Sequence, residues 1–281
     1  MEPQKDAVIG FITGYNFDKL KPWVYSLIDS GFEGDKYMVV YDIADDVIEK
    51  LDSLGFRVIK FEKTEPFNIV VTRFYHLWYI LSHLKEEYRW VISTDVADVI
   101  FQSNPSEWLE SKMGWSHRIC VGCEGLEYRD EPWGLQNMKL SFGDDILYKM
   151  IDRPIYNAGS FAGEHGAIRD LALNIFLSCQ GSPLHVPGGG GPDQAALNVI
   201  LSMEPWSDFT NFTDHTHSWS AQCGTTVDPN KIEEFRPKII DCEPTWDGEF
   251  AYNPEGEKYC LVHQYNRVPE WKNVIEKRYD R

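Results

Sequence analysis

The sequence predicts an α/β protein: a central, mostly parallel sheet flanked by helices, with an elaborated, loop-rich C-terminal half. Three observations carry that expectation. Between residues 7 and 101 short apolar runs alternate with stretches of helical periodicity, the order that yields parallel strands joined by right-handed crossovers. Those runs are near-continuously apolar, as strands covered on both faces are. Apolar residues make up 43% of the 281 and aromatics 14%, enough to fill one sizeable core.

Residues 7–12 read as the first strand, ending in Thr13-Gly14-Tyr15-Asn16. Pro22 in a first turn and Gly31 beyond a last one bracket a helix. Residues 36–41 are the second strand. Val47, Ile48, Leu51 and Leu54 then recur at helical spacing until Gly55 closes the helix. Residues 56–61 form a third strand, 69–84 a longer helix, and 90–94 a fourth strand that runs straight into Asp95 and Asp98. A short helix (106–112) and a strand (118–123) follow, and then residues 124–142, rich in Gly, Trp and charge, look like a long excursion.

In the second half, Ala158, Gly159, Ala162 and Gly163 are small enough for close backbone approach to a ligand, or for tight packing on a neighbouring helix. A helix spans 166–179. The consecutive glycines Gly188 to Gly191 are hard to keep ordered without a partner, and they lead into a helix through Leu201. Residues 203–256 are loop-rich and carry Trp206, Trp219 and Trp246. A last strand (259–263) precedes a short polar helix. No repeat, low-complexity tract or linker divides the chain, so residues 1–281 read as one domain with a first half at 1–101 and a second at 102–281.

The net charge of −17 argues against a nucleic-acid partner or an anionic membrane, both of which bind clustered Lys and Arg. An anionic small ligand would need local cations, a metal or a helix N-terminus. The polar N-terminus leads directly into a strand, and no apolar run reaches transmembrane length. A soluble cytoplasmic protein with no membrane insertion is therefore expected. Its six cysteines should be reduced, with the lone pair Cys120 and Cys123 as buried thiols of an apolar strand.

Asp95 and Asp98 sit where open α/β sheets place ligands, outside the C-terminal end of a central strand. Two carboxylates there repel each other unless something positive lies between them, and a hard divalent cation is the usual solution. The alternative is a capping aspartate followed by one in a solvated turn. Arg73, early in the preceding helix, is a candidate phosphate contact, or else a solvated salt bridge. No G-x-G-x-x-G opens the first helix, so a dinucleotide fingerprint is absent.

Four segments, in order, resemble the GT-A class of nucleotide-sugar glycosyltransferases, most closely family 8, which includes glycogenin and bacterial galactosyltransferases. Residues 91–101 look like its acidic metal motif. Tyr156-Asn157-Ala158-Gly159 is similar to its asparagine-alanine-glycine segment, Asp193-Gln194 with Leu197-Asn198 to its Asp-Gln helix start, and Leu261-Val262-His263 through Trp271 to its C-terminal histidine motif. The resemblance spans about residues 7–272. There are two departures: the acidic spacing is Asp-x-x-Asp rather than Asp-x-Asp, with Ala97 between, and Asn266 and Arg267 stand where the family has Gly and Lys.

The resemblance implies a single GT-A domain with a nucleotide-binding half (1–101) and a sugar- and acceptor-binding half (102–281). It implies metal ligation by Asp95, Asp98 and His263, with Mn2+ (or Mg2+) as cofactor and a UDP-sugar as donor. The donor contacts would come from Thr13, Gly14, Tyr15, Arg73, Thr94, Asp95, Val96, Asn157, Ala158, Gly159, Asn266 and Arg267. Asp193 and Gln194 would act at the reacting sugar: Asp193 as base for inversion, or both positioning the sugar in a retaining reaction, which family analogy favours. The implied activity is hexosyl or pentosyl transfer to a carbohydrate or other hydroxyl acceptor. The glycine loop would serve as a lid, and tryptophans of the second half would stack on the acceptor or fill the core. Two other functions compete, a sugar nucleotidyltransferase and a non-catalytic carbohydrate-binding protein with a decayed site. The first would want a basic, Gly-rich loop after the first strand, and residues 13–17 carry no basic residue.

Overall fold

The expected sheet forms in a computed structural model, which describes residues 5–281; the polar lead-in at 1–4 lies outside the described residues. The N-terminal half alternates as read: β1 (Ala7–Thr13), α1 (Phe17–Asp29), β2 (Asp35–Tyr41), α2 (Asp45–Ser53), β3 (Phe56–Lys60), α3 (Ile69–His83) and β4 (Trp90–Thr94). A short β5 (Val99–Phe101) and α4 (Pro105–Lys112) lead into β6 (Ile119–Glu127), α5 (Pro132–Met150), β7 (Pro154–Glu164), α6 (His165–Cys179) and α7 (Asp193–Leu201). The rest is short: β8 (Thr210–Thr213), β9 (Ser220–Gln222), α8 (Cys223–Thr226), α9 (Ile232–Phe235), β10 (Thr245–Trp246), β11 (Ala251–Tyr252) and β12 (Leu261–His263). It closes on α10 (Pro269–Tyr279).

Seven strands form the main sheet in the order β3-β2-β1-β4-β7-β6-β8. Only β7 runs against its neighbours; the β1–β2, β2–β3, β1–β4 and β6–β8 pairs are parallel. One buried cluster gathers α1, α2, α4 and α10 on one face of the sheet, and another gathers α3, α6 and α7 on the opposite face. Near-continuous burial of β1, β4 and β6 explains their unbroken apolar runs. No helix among the described residues is long and apolar enough to cross a membrane.

The structure corrects two element assignments. α1 starts at Phe17, capped by Asn16, which accepts from the Lys19 N–H, so Pro22 lies in the helix interior past the first turn. Residues 124–142 are no excursion, since β6 continues to Glu127 and α5 begins at Pro132, capped by Glu131. Gly143, at φ +79°, kinks α5 into two shorter runs. A kinked helix with two internal glycines shows no sustained apolar stripe, which is why its periodicity was faint.

Candidate active site

β4 ends at Thr94, and the chain turns through Asp95 to Asp98 into β5. β5 pairs antiparallel with β12, placing His263 opposite Val99, and β12 pairs parallel with β9, placing His263 opposite Gln222. This second, three-stranded sheet delivers a residue from the far end of the chain to the acidic turn. His263 Nε2 lies 3.6 Å from Asp95 Oδ2 and 3.7 Å from Asp98 Oδ1, and one ligand atom from each of the three falls within 4.8 Å of the others. The i, i+3 spacing thus does put both carboxylates on one side of the turn. Ala97 instead lines a separate cavity with Asn16, Lys19 and Tyr265.

The three groups titrate abnormally. Burial pushes Asp95 up, but the Arg73 guanidinium and His263 outweigh it and hold the carboxyl well below its usual range. Asp98 lacks the Arg73 contact, so burial raises it, His263 offsetting part and the Asp95 charge adding to the rise. Burial alone would lower His263, yet the nearby Asp95 and Asp98 carboxylates raise it. The imidazole is 1% exposed, and its Nε2 has no hydrogen-bond partner among the described residues. A bare, buried ring nitrogen beside two carboxylate oxygens is a donor set that suits Mn2+ at least as well as Mg2+.

Arg73 is buried on the cleft wall, with both terminal nitrogens paired. Its Nη1 pairs with Asp95, and its Nη2 donates to the Ala158 carbonyl (3.1 Å) and to Asp193 Oδ2 (3.2 Å). It is therefore neither a solvated salt bridge nor a free cation. Asp193 is the first residue of α7, and Pro192 holds the cap position. Burial pushes its carboxyl up to about 6, with Arg73 opposing and Asp95 adding to the rise.

Gly159 resolves the small-residue segment. A Cβ there would lie 2.6 Å from Asp95 Oδ2, and its carbonyl accepts the Asp95 N–H at 2.8 Å. The close approach is thus between β7 and the metal-motif aspartate. Asn157 donates to Glu124 Oε1 (2.6 Å), and Gln194 Oε1 accepts from the Ala158 N–H (3.4 Å). These groups line a cleft of about 420 Å³ together with the glycine loop, His263 and Arg267.

Other expected contacts lie apart from this cleft. Thr94 and Val96 serve the core: Thr94 Oγ1 accepts from Trp23 Nε1 (2.8 Å), and Val96 is 4% exposed against Gly10. Their side chains pack into the core behind the acidic turn. Thr13, Gly14 and Tyr15 do not line the cleft, although Asp98 and Asp95 raise the half-buried Tyr15 phenol further after burial, which places it beside the acidic turn. Asn266 also stays off the cleft wall, with its Oδ1 buried. The glycine loop is anchored: Asn68 Nδ2 donates to the Gly190 carbonyl (3.1 Å) and Asn137 Nδ2 to that of Gly191 (3.0 Å).

Sequence reasoning missed Glu124, Glu131 and Trp133, which also line the cleft. The available signal for Glu124 was a lone carboxylate inside an apolar strand; for Trp133 it was Glu131-Pro132, a helix start. Among the second-half tryptophans, Trp219 is fully buried and Trp246 stacks on Trp271 with centroids 4.8 Å apart, so both fill the core. All six cysteines are free and only Cys242 is not buried; burial raises the Cys120 and Cys123 thiols.

Taken together, the sheet order, the lone antiparallel β7 and the acidic turn after β4 define a GT-A fold, the fold of nucleotide-sugar glycosyltransferases. Solved structures bear this out. The galactosyltransferase LgtC, solved in complex with donor and acceptor sugar analogs, superposes with a TM-score of 0.56 over 96% of this chain and 95% of its own, at 12% identity. The bifunctional glycosyltransferase WbbM superposes at 0.56 over 99% of this chain with 10% identity, and GlyE of Streptococcus pneumoniae at 0.54 over 98% with 14%. The chain spans 51% of WbbM and 63% of GlyE. No protein-family model and no curated protein sequence matches it.

Proposed function

We propose that this protein is a metal-dependent glycosyltransferase that moves a sugar from a nucleoside diphosphate, UDP foremost, to a hydroxyl of a carbohydrate acceptor. The observation that carries the reading is the convergence of Asp95, Asp98 and His263 at a cleft lined by Arg73, Asn157, Asp193 and Gln194. A divalent cation held by the three would neutralise the diphosphate as a Lewis acid, which makes it a competent leaving group.

The chain's own residues supply the rest. Arg267 is exposed at the cleft and suits a phosphate contact, bidentately where a lysine would be a point charge. Asn157 and Gln194 present amides to sugar hydroxyls, each oriented by a hydrogen bond to the protein. Asp193 Oδ2 is turned onto Arg73 Nη2, which supports positioning in a retaining reaction over a base for inversion. The anchored glycine loop walls the cleft against water, the competing acceptor.

The test is transfer activity against a panel of nucleotide sugars. EDTA should abolish transfer and Mn2+ restore it, while Asp95→Asn should lower activity at least 100-fold. Full activity in EDTA or in Asp95→Asn would sink the metal assignment. Pyrophosphate release from a nucleoside triphosphate and a sugar phosphate would point instead to nucleotidyl transfer.

A further inference from the structure

The second sheet holds a chain of buried polar groups behind His263. Gln222 Oε1 lies 2.7 Å from His263 Nδ1. The Gln222 amide is itself oriented, because its Nε2 reaches Ser160 Oγ at 2.8 Å and Ser220 Oγ at 3.0 Å. Its main chain is held from behind. The Gln222 N–H can only donate, and it points to His215 Nε2 at 3.1 Å, so that nitrogen must accept. His215 Nδ1 then carries the proton and donates to Asp241 Oδ2 at 2.8 Å, and Asp241 also accepts the His215 N–H at 2.9 Å. Gln222 is 1% exposed, Ser160 and His215 are fully buried, and Ser220 is 2% exposed, so water does not compete for these bonds.

We propose that Gln222 is the positioning residue of the metal site. By accepting from Nδ1 it keeps the proton off Nε2, so the lone pair of the imidazole faces Asp95 and Asp98. His215 and Asp241 are the buttress that keeps Gln222 in register. The inference rests on the metal reading of the triad. It adds that the affinity of the triad is set by a residue that touches neither metal nor substrate, since the outer partner of a ligating histidine fixes its tautomer and ring orientation. This accounts for an otherwise costly arrangement: a buried glutamine turned toward the His263 imidazole, with a buried histidine and an aspartate braced behind its main chain.

Titration of the metal-free protein with Mn2+, followed by the electron paramagnetic resonance signal of the free ion, tests it without any transfer assay. Gln222→Met, close in volume but unable to accept strongly, should weaken Mn2+ binding about 10- to 100-fold. Gln222→Glu, which keeps an acceptor at the same place, should bind as tightly as the native chain or more tightly. Gln222→Met with native affinity and a native unfolding midpoint would overturn the proposal. Loss of binding in both variants, each folded, would also overturn it, because the acceptor alone is meant to matter. Nitrogen-15 resonances of the histidines in the unsubstituted, metal-free protein at pH 9 give a reading that needs no variant: His263 should carry its proton on Nδ1, and the opposite tautomer overturns the inference. Failure of the native chain to bind Mn2+ would instead strike the metal reading, leaving the tautomer measurement to judge Gln222.

Discussion

Gly159 lacks a side chain because Asp95 occupies the space beside it. A Cβ at 159 would come within 2.6 Å of Asp95 Oδ2 and 2.9 Å of Asn157 Oδ1, closer than non-bonded atoms tolerate. The neighbours have little room to yield. Asp95 is held by Arg73 and by the Gly159 carbonyl, and Asn157 by Glu124 and the Gly159 N–H. Gly159→Ala should therefore push the Asp95 carboxylate off its present line toward His263. We expect about 1–3 kcal/mol of destabilisation from overpacking in urea denaturation. A loss of Mn2+ affinity of an order of magnitude or more should accompany it. Unchanged Mn2+ binding would mean that Asp95 is free to swing and that its present pose is not the ligating one.

At the scale of elements, α5 and the glycine loop act as a pair. The loop lies against the Trp133 ring: a Cβ on Gly188 would meet Trp133 Cδ1 at 2.9 Å, whereas one on Gly189 would meet nothing within 4 Å. Both glycines have left-handed backbone, φ +88° and +98°. Alanine at either position pays the left-handed penalty of about 1–2 kcal/mol, but only at 188 does it also strike the ring. Gly188→Ala should therefore destabilise the protein measurably more than Gly189→Ala, and Trp133→Ala should erase the difference. Equal losses in all backgrounds would show that the ring does not shape the loop. None of this pairing was legible in the sequence, where the four glycines indicated only flexibility and Trp133 sat in a supposed excursion. The alternating N-terminal half was legible because each parallel strand is covered on both faces and leaves a continuous apolar run. α5 was not, because Gly143 breaks it and its burial is confined to a few residues.

For the whole molecule, order along the chain outweighed spacing within any one motif. Asp95, Asp98 and His263 were readable only as members of an ordered set; the strand pairing that unites them, between residues 99–101 and 261–263, links positions more than 150 residues apart and leaves no local periodicity. Gln222 was invisible for the same reason, since a polar residue within a short buried strand looks like a lapse in the apolar pattern until its partner is known. The fold also buries carboxylates at the cleft, and that gives stability a pH dependence of its own. Asp193 titrates near 6 in the fold and near 3.9 unfolded. A raised carboxyl means that the folded state binds the proton more tightly, so this group's contribution falls as pH rises from about 4 through 6 and is level above that window. The gap corresponds to roughly 3 kcal/mol. Asp95, whose carboxyl is lowered, works in the opposite sense and loses its contribution only in stronger acid. Comparing the metal-free native chain with Asp193→Asn by urea denaturation isolates the first effect from the other carboxylates. Between pH 4.5 and 7 the native chain should lose about 2 kcal/mol relative to the variant. Parallel curves for the two would show that Arg73 already compensates the Asp193 charge, and that α7 opens on an ordinary ion pair.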